Sequence, residues 1–514
     1  MRKPINAPLL LIAVILAAAS ALLSGIASGA QTVPAASVSE LQNGNQVIGI
    51  MDDVMVYNHA LRYFSEKRLN RIPDENTAYL NLKQGRIDAF IYTRTPAEYA
   101  IRNGLTGVRI LNETLGEPIP VISAISRNSS IPNLKQRFDR AVAELSDSGT
   151  ISDMYRRWID EGSTTLPDNL PAAPAPDGTL RIATTGLVQP FSFYANNKLT
   201  GFDIELGHRI AEKFNLKPVF TCYDWTGMVA AVEAGKEDIA LSELYDRPHY
   251  RDIMDTSEPL FFDDVIVMVR SDSPAPGFLE SVKTGFYRNL IEESRWKSIL
   301  SGLGVTCIIS LGAGVFGLLL GFLLCAMRRS RTAVLRGIAT VIVRIVQGVP
   351  VLVLLMIFYY VIFLHTRLSA IAIAIFCFSI YFAAYACEIM RSSLNSVDRS
   401  QIESAYALAM NRFQIFFRIS LPQAARIASP VLRGEFISLV KMTSVVGYIS
   451  IIDLTRASDI IRARTVEAFF PLVMTAVLYF LLSYLLSLVF RLIDRRFSAA
   501  HRRRSVRGVK ISTR

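Results

Sequence analysis

The sequence predicts a multi-domain protein: an extracytoplasmic, two-lobed α/β domain followed by an all-α transmembrane domain of five core helices. Three observations predict it. The chain has 514 residues, 51% of them hydrophobic, with a mean hydropathy of +0.32, so it is too long for one domain and too apolar to be wholly soluble. After Pro274 the composition changes from alternating strand and helix signals to long apolar runs. Residues 299–327 then carry no charge at all, enough length to cross a hydrocarbon core of roughly 30 Å.

Arg2 and Lys3 precede an apolar run over residues 7–23 that ends in small residues up to Ala30. That is the layout of a secretory signal over residues 1–30, either cleaved or kept as an anchor, and in both cases the α/β half after it is exported. Residues 45–163 read as one α/β lobe, with strands at VIGI and IDAFIY and a helix over 141–159. Residues 164–178 carry four prolines and predict a stiff extended linker. A second lobe, 179–272, offers the strand TLRIATTG, the amphipathic helix GFDIELGHRIAEKF and the strand EDIALSEL. A further linker, 273–297, leads to the membrane domain, 298–497.

Five spans are expected there: 299–327, 345–364, 368–387, about 438–452, and 469–490. Gly348 and Pro350 predict a kink in the second, because proline removes a backbone donor. Arg328, Arg329, Arg331 and Arg336 flank the first span and a basic tail, 498–514, follows the last, so both ends face the cytoplasm. Five crossings then put residues 391–424 in the cytoplasm and the α/β half outside. Arg456, Arg462 and Arg464 fall on the outer side, against the rule.

The formal charge of +11 is local, since residues 491–514 hold nine Arg or Lys against Asp494 alone. Next to an apolar span this implies an anionic lipid surface rather than nucleic acid. Four of the five cysteines lie in apolar stretches and the five histidines are scattered, so neither a disulfide framework nor a metal site is predicted. A Gly-rich phosphate loop ending in Lys-Ser or Lys-Thr is missing too. If ATP drives this protein, another chain hydrolyses it.

Residues 400–424 predict an amphipathic helix ended by Pro422. Ile402, Tyr406, Ala409, Phe413 and Phe416 recur at helical spacing, with Gln401, Glu403, Asn411 and Arg412 on other faces. Such a segment between spans is either a docking surface for another protein or a helix lying on lipid headgroups. Glu388, Glu435 and Lys441 are ionisable groups in or beside apolar spans, where charge is paired, hydrated or functional. Lys441 is a candidate translocation-pathway residue; snorkelling, or pairing with a nearby Glu, is the other explanation.

Residues 296–497 resemble the polar amino-acid permease family of bacterial ABC importers (His, Glu, Gln and Arg type), whose cytoplasmic loop carries Glu-Ala-Ala, a Gly and a later Leu-Pro. Glu403, Ser404 and Ala405 hold the triplet, Ala409 stands where Gly is usual, and Leu421 and Pro422 close the motif. QGVPVLVLL from Gln347, AAYACEIMRSSLNSV from Ala383 and LVKMTSVVGYISI from Leu439 match in the same order. The resemblance implies a multi-pass subunit of the bacterial cell membrane, a dimer with a second, identical permease protomer. It also implies a separate ATPase subunit that carries ATP and Mg, no cofactor in this chain, and an amino-acid solute.

The soluble half resembles the family 3 solute-binding proteins, with the lobes in swapped order. TLRIATTG, PFSFY, LTGFDIELGHRIAEKF, AGKEDIA and TSEPLFF are similar to that family's first lobe, and LKQGRIDAFIY and SGTISDMYRRWIDEG to its second. The swapped order implies a circular permutation; two consecutive degenerate domains are the competing description. The family clamps an amino acid's carboxylate with Arg and its ammonium with lobe carboxylates. Here Tyr250 stands at the Arg position, and Thr185 and Thr93 stand at the two Asp positions. Asp52 and Asp53 interrupt a Gly-Thr-Thr turn. The resemblance leaves Trp225, Phe191, Phe193, Glu243, Arg247 and Arg251 as candidate solute contacts, in a site whose ligand has changed or whose function has lapsed. A ligand-gated ion channel is the alternative, on TSVVGYI at residues 443–449, which is similar to a potassium-filter sequence.

Overall fold

A computed structural model describes residues 34–51, 54–72, 74–173, 176–271, 283–364, 366, 368–467 and 469–509. The expected signal, Asp52 and Asp53, residues 273–282 of the second linker and the last five residues of the basic tail lie outside these. The chain forms two compact units, Met1–Ile299 with Ala457–Met474 and Leu300–Arg456 with Thr475–Arg514. Residues 457–474, expected within the membrane domain, therefore pack with the α/β unit.

The α/β unit has two principal sheets. The first runs β2-β1-β3-β14-β4, built from β1 (Ile48–Met51), β2 (Leu69–Ile72), β3 (Ala89–Thr93), β4 (Val108–Thr114) and β14 (Val265–Arg270). The second runs β10-β6-β11-β5-β12, built from β5 (Ile119–Ile125), β6 (Thr179–Thr184), β10 (Lys217–Cys222), β11 (Ile239–Tyr245) and β12 (Asp255–Thr256), with β13 (Phe261–Asp263) also on β5. A small sheet of β7 (Leu187–Val188), β8 (Ser192–Ala195) and β9 (Lys198–Thr200) completes it. β14 is buried along all but its last residue, as a strand covered on both faces must be, and its VIVMV sequence is apolar throughout.

The lobe boundaries differ from those expected. The chain crosses between sheets twice, from β4 to β5 and from β13 to β14, so β5 belongs to the second lobe and β14 to the first. Helices Leu134–Asp147 and Thr150–Tyr155 follow β5 into the second lobe. There Glu205 gathers Trp158 Nε1 (2.7 Å), Arg157 Nη2 (2.8 Å) and Arg209 Nη2 (2.6 Å). The Pro-rich stretch 164–178 thus connects two parts of one lobe rather than two lobes. Local hydropathy marks the strands but not their partners, because β pairing joins residues far apart in sequence.

Among the described residues three helices are long and apolar enough to cross a membrane: Trp296–Arg328, Ala370–Asn395 and Phe470–Leu492. Two bent pairs raise the number to five at most: Ala333–Gly348 with Val351–Ile362, at 110°, and Arg412–Ile449 with Leu454–Thr465, at 55°. The first bend falls at the expected Gly348 and Pro350. The fourth apolar segment begins well before residue 438, since Leu421–Met442 is one helix whose mixed composition hid it. Glycines let the first helix approach its neighbours: a Cβ on Gly317 would stand 2.8 Å from Ser379 O, and one on Gly321 3.0 Å from Ala383 O. Glu388 is paired with Arg328 and with Arg391, whose Nη2 is 2.9 Å away.

Candidate functional site

The lobes meet at Thr93 and Glu243. Strand β11 bulges between Ala240 and Leu244, and Glu243 takes a left-handed φ of 51° there. Its N–H donates to Asp203 Oδ2 at 3.2 Å, and its Oε1 accepts from the Thr93 hydroxyl at 3.1 Å and, closely, from the Tyr245 hydroxyl. Burial, with the nearby Asp263, pushes the Glu243 carboxyl well up, and burial raises Asp203, Asp263 and Glu75 to about 7 each. These carboxyls take up protons far more readily than exposed ones. Thr185, at the other Asp position, is buried and bonded to Ser242 Oγ at 2.6 Å.

The remaining candidates divide. Trp225 is 37% exposed at the start of helix Trp225–Glu233, whose cap is Asp224. Phe191 does not wall a cleft: it is fully buried, stacked on Phe261 at 5.4 Å within the second lobe's core. Phe193 is buried as well, edge-on to Trp158, because both alternate positions of this short strand face the interior. Arg247 lies over the Tyr250 ring at 5.2 Å. Arg251 is exposed and paired with Asp246, so its guanidinium is engaged away from Glu243. Reading the sequence alone missed Gln189, Asp74, Tyr245 and Glu293; the one signal was that Arg462 and Arg464 run against the charge rule used to orient the spans.

The 399–422 loop is not one helix. Helix Arg399–Ala407, capped by Asp398, ends in a turn where Ala409 N–H bonds Tyr406 O and Met410 N–H bonds Ala405 O, with Ala409 at φ 54°. This is why a glycine suits that position. A second helix, Arg412–Ile415, opens with an Asn411–Gln414 capping box and runs on through a π-turn, Phe416–Ser420. Pro422 does not stop a helix but sits in the first turn of Leu421–Met442, where its missing N–H costs nothing. Ala405 is buried, Glu403 and Ser404 are exposed, and the apolar Leu408 and Phe413 are 78% and 76% exposed. Lys441, near the end of Leu421–Met442, is exposed. Thr443–Ile449 is a 3₁₀-helix, so its backbone does not have the extended form of a selectivity filter.

Comparison with known proteins matches residues 313–499 to the binding-protein-dependent transport system inner membrane component family. Residues 180–353 match the bacterial extracellular solute-binding proteins, family 3. The L-cystine transport system permease protein TcyB of Bacillus subtilis (strain 168) is 33% identical over 40% of this chain and 90% of its own length. A putative glutamine transport system permease protein GlnP of Rickettsia felis (strain ATCC VR-1525 / URRWXCal2) is 32% identical over 38% of this chain and 92% of its own. A crystal structure of an amino acid ABC transporter with histidines matches at 28% identity, over 43% of this chain and all of that one, with a TM-score of 0.38.

Proposed function

This chain belongs to the binding-protein-dependent transport system inner membrane components, with a family 3 solute-binding domain in the same polypeptide, and from that premise we propose a working cycle. The protein is the multi-pass permease subunit of an ATP-driven importer for amino acids and is not itself an enzyme. Its lobes face outward and its basic tail faces the cytoplasm. A separate ATPase, carrying ATP and Mg, grips Glu403, Ser404, Ala405, Ala409, Leu421 and Pro422, and a second copy of the chain completes the pathway, to which Lys441 belongs. Solute closes the lobes, and closure of the ATPase pulls the loop and moves the spans.

The carrying observation is the loop itself. Its triplet, its left-handed Ala409 and its Leu-Pro fall in the order of the permease motif, and its apolar side chains stand exposed. The two crossings, β4 to β5 and β13 to β14, support a single two-lobed domain over two consecutive separate ones, because each sheet is completed by a strand from across the other lobe. The test is uptake by proteoliposomes holding this chain and the ATPase subunit that co-purifies with it. Replacing Glu403 by Arg or Ala405 by Trp abolishes ATP-dependent uptake of a radiolabelled amino-acid mixture. Unimpaired uptake by both variants, or solute-evoked current without ATP, refutes the proposal.

A further inference from the structure

Of the three arginines that run against the charge rule, Arg462 and Arg464 lie in the α/β unit, where residues 457–474 are packed. Toward the second lobe, the Arg464 guanidinium lies over the Phe193 ring, 5.3 Å from its centre, and Nη1 donates to Gln189 Oε1 at 2.7 Å. The Gln189 amide donates back to Ala463 O at 2.6 Å. Toward the first lobe, Arg462 faces Asp74 at 3.5 Å, and Val466 joins the buried cluster of Ile72, Tyr79, Tyr92 and Ala97. One short stretch of chain therefore holds both lobes.

The rest of the Arg464 fork is held by Glu293, whose Oε1 accepts from Nη2 at 2.8 Å and from Nε at 3.2 Å. Glu293 and the next residue, Ser294, both adopt left-handed φ, at 52° and 54°. Two successive non-glycine residues stay in that region only where their surroundings over-determine it. The Arg464 side chain is 10% exposed, so the pair is desolvated and directional rather than a solvated surface contact. Burial works to raise the Glu293 carboxyl, but the hydrogen bonds and charge of Arg464 hold it below its ordinary value.

We propose that Arg462–Val466 is a tethered wedge. It bridges the two lobes without solute, so the angle between them is set by chain that continues directly into the last two apolar helices, and solute acts against or with that setting. This rests on the two-lobed solute site of the proposed working cycle, but its test reads lobe separation rather than transport, so either reading can fail alone.

Nitroxides attached at Arg62, on the first lobe, and Glu233, on the second, report the separation by pulsed electron resonance in the full chain in lipid nanodiscs. Both positions are exposed. Without any amino acid added, the unsubstituted protein gives one narrow distance. Arg462→Gln with Arg464→Gln adds a longer population, and Arg464→Glu with Glu293→Arg brings the narrow distance back. A double Gln variant that melts cooperatively yet keeps the narrow distance overturns the wedge, as does a charge swap that leaves the long population in place. Should the double variant fail to fold, Arg464→Lys, which keeps the charge and loses the fork, decides: broadening supports the wedge and an unchanged distance overturns it.

Discussion

The 399–422 loop and the lobe interface handle their side chains in opposite ways. In the loop, Leu408 and Phe413 stand in solvent while Ala405 is buried, so the fold shapes the turn and leaves the apolar surface without intramolecular cover. At the lobe interface, Glu243, Thr93, Asp203 and Tyr245 are buried and the chain supplies their partners. An interface that satisfies itself is one the chain can close alone.

The contrast can be broken most directly at the loop. Leu408→Asp combined with Phe413→Asp is expected to weaken recovery of the ATPase on affinity-tagged chain by a hundredfold or more, on the order of 3 kcal/mol, while the melting temperature stays put. If the same pair lowers the melting temperature by many degrees, the loop is internally packed and the contrast disappears. Within the second lobe the opposite holds. Glu205→Ala is expected to cost about 3 kcal/mol in thermal unfolding, because it removes the buried carboxylate shared by Trp158 Nε1, Arg157 and Arg209 and leaves Arg157 to its exposed partner Asp153.

The pH response sharpens the same distinction. Asp203 ionises at about 7 in the folded protein because of burial, against 3.8 for the free side chain. Its stabilising contribution is complete below pH 4, falls as pH rises toward 7, and is gone above that, since the unfolded chain releases the proton first. At about 1.4 kcal/mol per unit, the fall is on the order of 4 kcal/mol. Asp203→Asn should flatten the dependence of the α/β unit's melting temperature on pH over that range; a slope equal to that of the unsubstituted protein would assign the response elsewhere. The smallest effect is at Ala409. Ala409→Gly relieves a left-handed alanine and should stabilise the membrane unit by about 1 kcal/mol, read as a small rise in melting temperature.

Several features were legible residue by residue. Gly348 and Pro350 announced the bend between Ala333–Gly348 and Val351–Ile362, and the chargeless run from Ile299 announced the first apolar helix. The span sought near 438–452 was misplaced because Arg426, Arg433 and Glu435 break the hydropathy of a helix that in fact begins at Leu421. Pro422 was read as a stop because proline's effect depends on whether it enters a first turn or an interior, which composition does not tell. Phe191 and Phe193 looked equally fit for core or cleft, and only their neighbours placed them in the core.

By itself the sequence determined the division into strand-and-helix lobes and apolar helices, and the position of the motif-bearing loop. Hydropathy, period and turn chemistry act over a few residues and can be read there. Tertiary structure alone decided which sheet each crossing strand joins, that Glu243 turns toward Thr93, and that Arg464 meets Gln189 across 275 positions of chain. Those choices depend on burial against partners distant in sequence, and a local pattern carries no record of which distant partner will be there.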